Sequence, residues 1–487
     1  METRISSLGQ GPGLAWKRGS SSFPPGSLAE LQEWTGGKTE PGPPWHGEVE
    51  FQQWNTIGWG ITDDGILYIK PWKGSTGETG EVTRYTDVPW YDQRLMINKV
   101  ESTGTIVLNA TSNYLFFGCS RLTDITALAE WDVSNVTSMY YMFYGCSSLT
   151  DLTDLKDWEV SNVWNMSGMF QNCSNLDDLY ALKDWNVPNA NMSRMFGGCS
   201  SLRYLDAIRD WDMSEVTNTS YMFAGCSSLR DLRGLEDWNV SKVEDMGSMF
   251  YGCSSLTDLR GLDDWDVFSV ESMGSMFAGC SRLIQLDAIR DWRVFSVTNM
   301  SSMFYGCSSL TDLTALADWR ASEVTNTSSM FYRCSSLTDL TGLSGWNVSN
   351  VTSTNGMFSG CSSLTDLDAI KYWEVSNVTS TSGMFYGCSN LTDLDTLAYW
   401  NVSSVANMNS MFQGCSSLQR IGIPSIANGG QKLAANAEAA KLTTVLPSII
   451  SDDGLGPYTW DDLNTEMTTN PDDFQDGTVW VKAEEAE

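Results

Sequence analysis

The twelve cysteines of this 487-residue chain are its most regular feature. They stand at Cys119, Cys146, Cys173, Cys199, Cys226, Cys253, Cys280, Cys307, Cys334, Cys361, Cys388 and Cys415, every interval being 27 residues except one of 26 after Cys173. An even count invites a disulfide framework. One cysteine per unit at a fixed register instead stacks parallel side chains about 5 Å apart, and that spacing alone does not supply the dihedral a disulfide needs. A core row of free thiols is therefore expected, with inter-unit disulfides as the alternative. No C-x-x-C pair or Cys/His cluster occurs, so zinc is not expected. The one histidine, His46, lies in a Pro-rich stretch, which removes Ser-His-Asp and Cys-His machinery from the repeats. Carboxylates are abundant, but a fresh pair in every unit is a lattice rather than a glycosidase pair. The chain reads as non-enzymatic and without a cofactor.

Two outward-reading positions carry the remaining chemistry. Counting each Cys as zero, position +5 holds Asp124, Asp151, Asp178, Asp231, Asp258, Asp312, Asp339, Asp366 and Asp393. Carboxylates about 5 Å apart on one face repel by about 1 kcal/mol in water and ~3 kcal/mol at an effective dielectric of 20. Hydration, neighbouring Ser and Thr, and arginines such as Arg230, Arg233 and Arg260 would relieve that. A calcium ladder from Asp151 to Asp393 is the sharper alternative, because Ca²⁺ prefers several oxygen ligands; in that case a chelator lowers the melting temperature by many degrees. Position +25 varies: Tyr144, Tyr251, Tyr305, Tyr332 and Tyr386 alternate with Ala, Gln, Ser and Gly. Tolerance of alanine implies exposure, and exposed tyrosine favours recognition, so these five are the ligand-binding candidates.

The elements that position these residues follow from the repeat. Leu sits at +3, Leu or Ile at +6 and +9, Trp at +12, Val usually at +14 and +17, Met or Thr at +20, and Met-Phe at +23/+24. Eleven full units run from Cys119 to Cys415, with a half unit at each end. One such unit buries too few apolar groups to offset the entropy of ordering it, whereas stacked units share their faces. The expected fold is a leucine-rich-repeat-like solenoid. Its strand is expected along L-x-x-L-x-x-L-x-x-W-x-V, with a short 3₁₀ or helical return leg over +17 to +24. The one-residue deletion near Ala190 is placed on that return leg.

The chain divides into four regions. Residues 1–48 are a Gly/Pro/Ser-rich linker or attachment arm, with one short amphipathic piece, SLAELQEW. Residues 49–112 alternate apolar and polar around turn signals and are expected to form a β-rich cap. Residues 113–421 are the solenoid, and 422–487 an acidic cap or tail with a helix over Lys432–Lys441.

The net charge of −31 argues against nucleic acid and anionic membrane surfaces. No apolar run is long enough to insert in a bilayer. A protein or a glycan is the expected partner.

The unit C-x-x-L-x-x-L…W-x-V-S-x-V-x-x-M-x-x-M-F-x-G-C resembles the repeat of the BspA-like leucine-rich repeat surface proteins of bacteria. Trp59–Tyr91 is similar to the β-rich segment that often precedes such arrays. The resemblance implies a right-handed solenoid at the cell surface or outside the cell, adhering to host proteins, cells or glycans. METRISSLGQGPGLAWKRGSSS has no apolar core of the signal-peptide kind, and no lipobox cysteine or LPxTG-type motif is present. With the Gly/Pro-rich arm and acidic tail, this leaves a phage tail or other virion-associated receptor-binding component as a second reading. A passive spacer is the third.

Overall fold

The computed structural model describes residues 49–187, 189–447, 449–451, 457–474 and 478–482. The chain falls into two compact units, Met1–Glu50 and Phe51–Glu487. The arm at 1–48, with its amphipathic piece and His46, lies outside the described residues. All eleven repeats belong to the second unit.

Each 27-residue unit is one coil of a solenoid, built from turns and a narrow β ladder. In nine of the eleven coils a 3₁₀ turn begins at +7, as at Thr126–Glu130, Thr153–Leu155 and Asp287–Ile289. Parallel bridges run from coil to coil at +19, through Ser138, Asn165 and Asn191 and again from Asn218 to Asn407. The solenoid of strand-like and 3₁₀ legs is as expected, but the two legs are exchanged. The reason lies in the spacing. Apolar residues at +3, +6, +9 and +12 recur every third residue, the period of a 3₁₀ turn, whereas a strand needs period 2.

The second leg is a ribbon of tight turns. N–H groups of Met139, Tyr141, Phe143 and Gly145 donate to Asn165, Ser167, Met169 and Gln171 of the next coil, at 2.7–3.1 Å. Between them, Met142, Tyr144 and Cys146 donate back three residues, to Met139, Tyr141 and Phe143. This alternation requires left-handed backbone at +22 and +26, and Tyr141 (φ 54°) and Gly145 (φ 72°) supply it. Three side-chain oxygens turn each corner: Asp151 Oδ1 accepts from Thr153 N at 2.8 Å, Asp132 Oδ1 from Ser134 N at 3.0 Å, and Asn165 Oδ1 from Ser167 N at 3.1 Å.

The 26-residue coil loses its +18 residue immediately before the bridge column. The ladder is interrupted there: among the described residues no bridge joins Asn191 to Asn218, and Met192 N reaches Asn218 O only at 3.3 Å. Trp164, at +18 in the coil before, is exposed beside this gap.

Both ends are closed. At the N-terminal end β1 (Gln52–Trp54), β2 (Ile57–Ile61), β3 (Ile66–Pro71) and β4 (Lys99–Ser102) form a sheet in that order, antiparallel except for the parallel β3/β4 pair. Parallel bridges Lys99–Asp124 and Val107–Asp132 carry the pattern into the first coil. At the other end β5 (Asp393–Leu394), β6 (Arg420–Ile423), β7 (Ile449–Ser451) and β8 (Thr478–Lys482) take the order β5-β6-β8-β7. The helix expected over Lys432–Lys441 is broken at Asn436 into α1 (Gly430–Ala435) and α2 (Ala437–Ala440). Two more helices complete the cap, α3 (Leu442–Val445) and α4 (Trp460–Thr469). Carbonyls of Ala439 and Ala440 accept the N–H groups of Ser410 and Phe412, which have no further coil to bond.

Candidate functional site

The interior columns are fully committed to packing. Phenylalanine rings at +24 stack from Phe116 to Phe412 with centroids 5.2–6.0 Å apart. From Trp158 onward the indole N–H at +12 donates to the +9 carbonyl of the coil before, as Trp265 does to Leu235 at 2.9 Å; Trp131, in the first coil, uses the Ser102 hydroxyl at 3.1 Å. All twelve thiols are free and buried, and eleven lie 3.2–3.3 Å from the Phe carbonyl of the preceding coil, as Cys146 does from Phe116. Burial pushes them up, to about 12 for Cys199, Cys280, Cys361 and Cys415. Such thiols stay protonated and unreactive, because the thiolate is the nucleophile and the metal ligand.

The +5 aspartates share one edge of the coil. Eight of the nine accept the backbone N–H of +7 and so cap the turn that follows, from Asp124 with Thr126 at 3.1 Å to Asp366 with Asp368 at 3.3 Å. The Thr153 hydroxyl holds the Asp151 carboxyl below the usual carboxylate range, and the Arg260 guanidinium does the same for Asp258. Asp393, in β5, is pushed up by burial and then by Asp395. Lys99 pairs with Asp124 at 3.2 Å, and Arg233 and Arg260 fork onto Asp231 and Asp258 at 3.0–3.1 Å. Among the described residues no three His, Cys, Asp or Glu stand close enough to hold a metal ion. Among them, too, no helix is long and apolar enough to cross a membrane.

The +25 tyrosines share a column but form no single cluster. Tyr305 and Tyr332 stack at 4.7 Å, and Tyr144 stacks on Phe117 at the same distance. Tyr251, about half exposed, lies between the Ala224 and Ala278 positions, and Tyr386 between Ser359 and Gln413.

Three outward features escape a position-by-position reading for tyrosine and aspartate. One is a second acidic column at +11: Glu130, then Asp157 and an Asp in every coil to Asp318, all exposed. The D-W dipeptide of seven successive coils, Trp158 to Trp319, is its signal. Another is an aromatic cluster at the N-terminal end, where Tyr85, Tyr91, Tyr114, Phe117, Tyr140 and Tyr141 lie with ring centroids 4.1–6.3 Å apart. Last is a pair of clefts in the central coils. One of about 500 Å³ is lined by Asp231, Arg233, Glu236, Arg260, Gly261 and Asp263. Its neighbour, of about 420 Å³, is lined by Arg230, Ser255, Thr257 and Arg282. Here the 3₁₀ turn is absent, and Gly234 and Gly261 take φ of 97° and 106°. A Cβ at either would meet a backbone carbonyl at 2.3–2.4 Å. The signal is R-G-L in place of T-x-L at +7 to +9.

Among solved structures, a leucine-rich repeat protein from Eubacterium ventriosum is 16% identical, with 76% of this chain and 95% of that one covered and a TM-score of 0.39. A leucine rich cell surface protein from Faecalibacterium prausnitzii is 15% identical, with 76% and 94% covered and a TM-score of 0.32. No curated protein matches the sequence. One family model matches repeatedly, over residues 110–232, 190–313, 230–339 and 311–424. Those matches span most of the chain and all eleven coils, and the chain belongs to the family described as Mycoplasma protein of unknown function, DUF285.

Proposed function

We propose that this chain is a non-enzymatic binding protein that works at the cell surface or outside the cell, where its acidic solenoid presents exposed side chains to a protein or glycan partner. One observation carries the reading. Buried positions repeat almost without change over eleven coils, while exposed positions on the same coils differ from unit to unit. Stacking requires the first and is indifferent to the second, so the variation is free to encode recognition. The BspA-like character of the repeat supports the location and the adhesive role. Tyr144, Tyr251, Tyr305, Tyr332 and Tyr386 are the proposed contact residues of the +25 column.

The test is to probe the full chain against arrays of neutral glycans and extracellular-matrix proteins. The variant Tyr251→Ala/Tyr386→Ala, which places at both positions the residue two other coils already carry, is run in parallel. Saturable binding by the wild-type chain, weakened at least tenfold in the variant, is expected. A wild-type chain that binds nothing on either array sinks the proposal.

A further inference from the structure

The repeat supplies its own control for one wall of the solenoid. From Cys307 onward position +4 is Thr311, Thr338, Thr365 and Thr392, and +5 is Asp in every coil. In the four coils that begin at Cys199, Cys226, Cys253 and Cys280 the same wall departs from that pattern. Arg203 and Arg230 occupy +4, Arg233 and Arg260 occupy +7, Arg282 replaces serine at +2, and Tyr204 replaces aspartate at +5.

These departures coincide with the two clefts: the smaller is lined by Arg230 and Arg282 and no carboxylate, a positive spot in a chain of net charge −31, while in the larger Arg233 and Arg260 stand among Asp231, Glu236 and Asp263. Arg233 and Arg260 are held by their own aspartates, leaving part of each guanidinium fork to face the cleft. Arg203, Arg230 and Arg282 are exposed, and among the described residues no carboxylate stands within ion-pair distance of any of them. Tyr204, 47% exposed, stands on the same wall.

We propose that the Arg203–Arg282 wall, centred on the cleft of Arg230 and Arg282, binds an acidic saccharide through carboxylate or sulfate groups. Planar guanidiniums match such anions with paired hydrogen bonds. From the coil of Arg203 to that of Arg282 is three steps, about 14 Å at ~4.8 Å each, longer than one small anion and suited to a few sugar rings. Ser255 and Thr257 offer hydroxyls, and the exposed Tyr204 ring offers an apolar face to a sugar. The clefts hold no large apolar side chain of the kind that anchors a protein partner, which disfavours an acidic peptide. The inference rests on the binding role proposed above and names one ligand class and its wall.

The experiment is calorimetric titration of the full chain with a heparin tetrasaccharide, which carries sulfate and carboxylate, and with a tetragalacturonate, which carries carboxylate alone. A neutral tetrasaccharide serves as control. Arg230→Thr/Arg282→Ser restores the residues of the neighbouring coils, so the fold is kept. Binding of one or both acidic probes, falling steeply with salt and at least tenfold weaker in the variant, is expected; which probe binds identifies the anion. If neither probe binds, or the variant binds as well as the wild-type chain, the inference is overturned. It fails alone, without the broader reading, if the wild-type chain binds partners on the neutral-glycan or matrix-protein arrays.

Discussion

Coils and caps of this molecule are stabilised in different ways. Inside the coils each buried group occurs eleven or twelve times in the same surroundings, so any weakness is multiplied by the number of coils. In the end structures each group occurs once. Lys70 of β3 is buried with its ammonium 3.5 Å from the Phe51 ring centroid, and Trp460 alone donates to the Leu446 carbonyl, at 2.7 Å. A repeat thus gains cooperativity together with shared vulnerability, while a cap can tolerate an isolated oddity.

Alkali should expose the largest difference. The thiols ordinarily lose their proton near pH 9, and burial raises them in the folded coils, to about 12 at Cys199, Cys280, Cys361 and Cys415. Above pH 9 the unfolded chain has released protons that the folded one keeps. Stability is complete below about pH 9 and is lost as pH climbs toward 12, at about 1.4 kcal/mol per pH unit per thiol. All twelve thiols act in the same sense, so the loss is steep. Lys70 acts the other way. Burial lowers it to about 8 from 10.5, so its contribution improves as pH rises between those values. Circular dichroism under reducing conditions should show cooperative unfolding between pH 9 and 11; an array still folded at pH 12 refutes the account.

Cavities come next. Phe277→Ala removes a ring stacked on both sides, at 5.8 and 5.7 Å, and should cost about 3–5 kcal/mol in denaturant unfolding. Phe474→Ala in the C-terminal cap, where among the described residues the ring stacks on Trp480 alone, at 6.3 Å, should cost less. Equal losses would remove the distinction.

A smaller effect separates two indoles. Trp265→Phe removes the shorter of two bonds to the buried Leu235 carbonyl, which keeps the one from Trp238 N at 3.3 Å, and should cost about 1 kcal/mol, whereas Trp131→Phe, which frees only the part-buried Ser102 hydroxyl, should cost less.

The smallest effect has the opposite sign. Position +26 is glycine in ten of twelve instances, Asn172 and Arg333 being the others, and all twelve have positive φ. Arg333→Gly should therefore raise stability by about 1 kcal/mol. No increase in melting temperature would show that the arginine is held by contacts worth more than its backbone strain.

The period, the number of coils and the identity of the buried columns are all legible in the sequence, because stacking forces one residue type into each phase. The leg assignment is not. The L-x-x-L spacing suggests a strand by analogy with leucine-rich repeats, although its period of three already favours a 3₁₀ turn. Left-handed backbone at +22 is hidden because Tyr, Ser, Arg and Gly all occupy it. For the candidate site, the +5 aspartates are visible as a row, but their task of capping the +7 N–H depends on a turn that the strand reading displaces. The arginine wall is visible only as relief for those aspartates. Its clefts depend on the backbone that Gly234 and Gly261 adopt, which no residue count reveals.

The hydrogen-bond ladder has a sense. From +20 to +26 every coil offers N–H groups to the coil after it and carbonyls to the one before, the +18 N–H donating backward instead, as Trp164 does to Thr137 at 3.0 Å, and the two ends are finished by unlike groups: the Trp90 indole N–H on the Leu115 carbonyl at 2.7 Å, and the α2 carbonyls on Ser410 and Phe412. Any interior coil can therefore follow any other, while the two closures cannot be exchanged. Duplication or loss of a whole 27-residue block keeps both closures matched, so gene-level slippage can lengthen or shorten the rod and slide the arginine wall along it without the fold being redesigned.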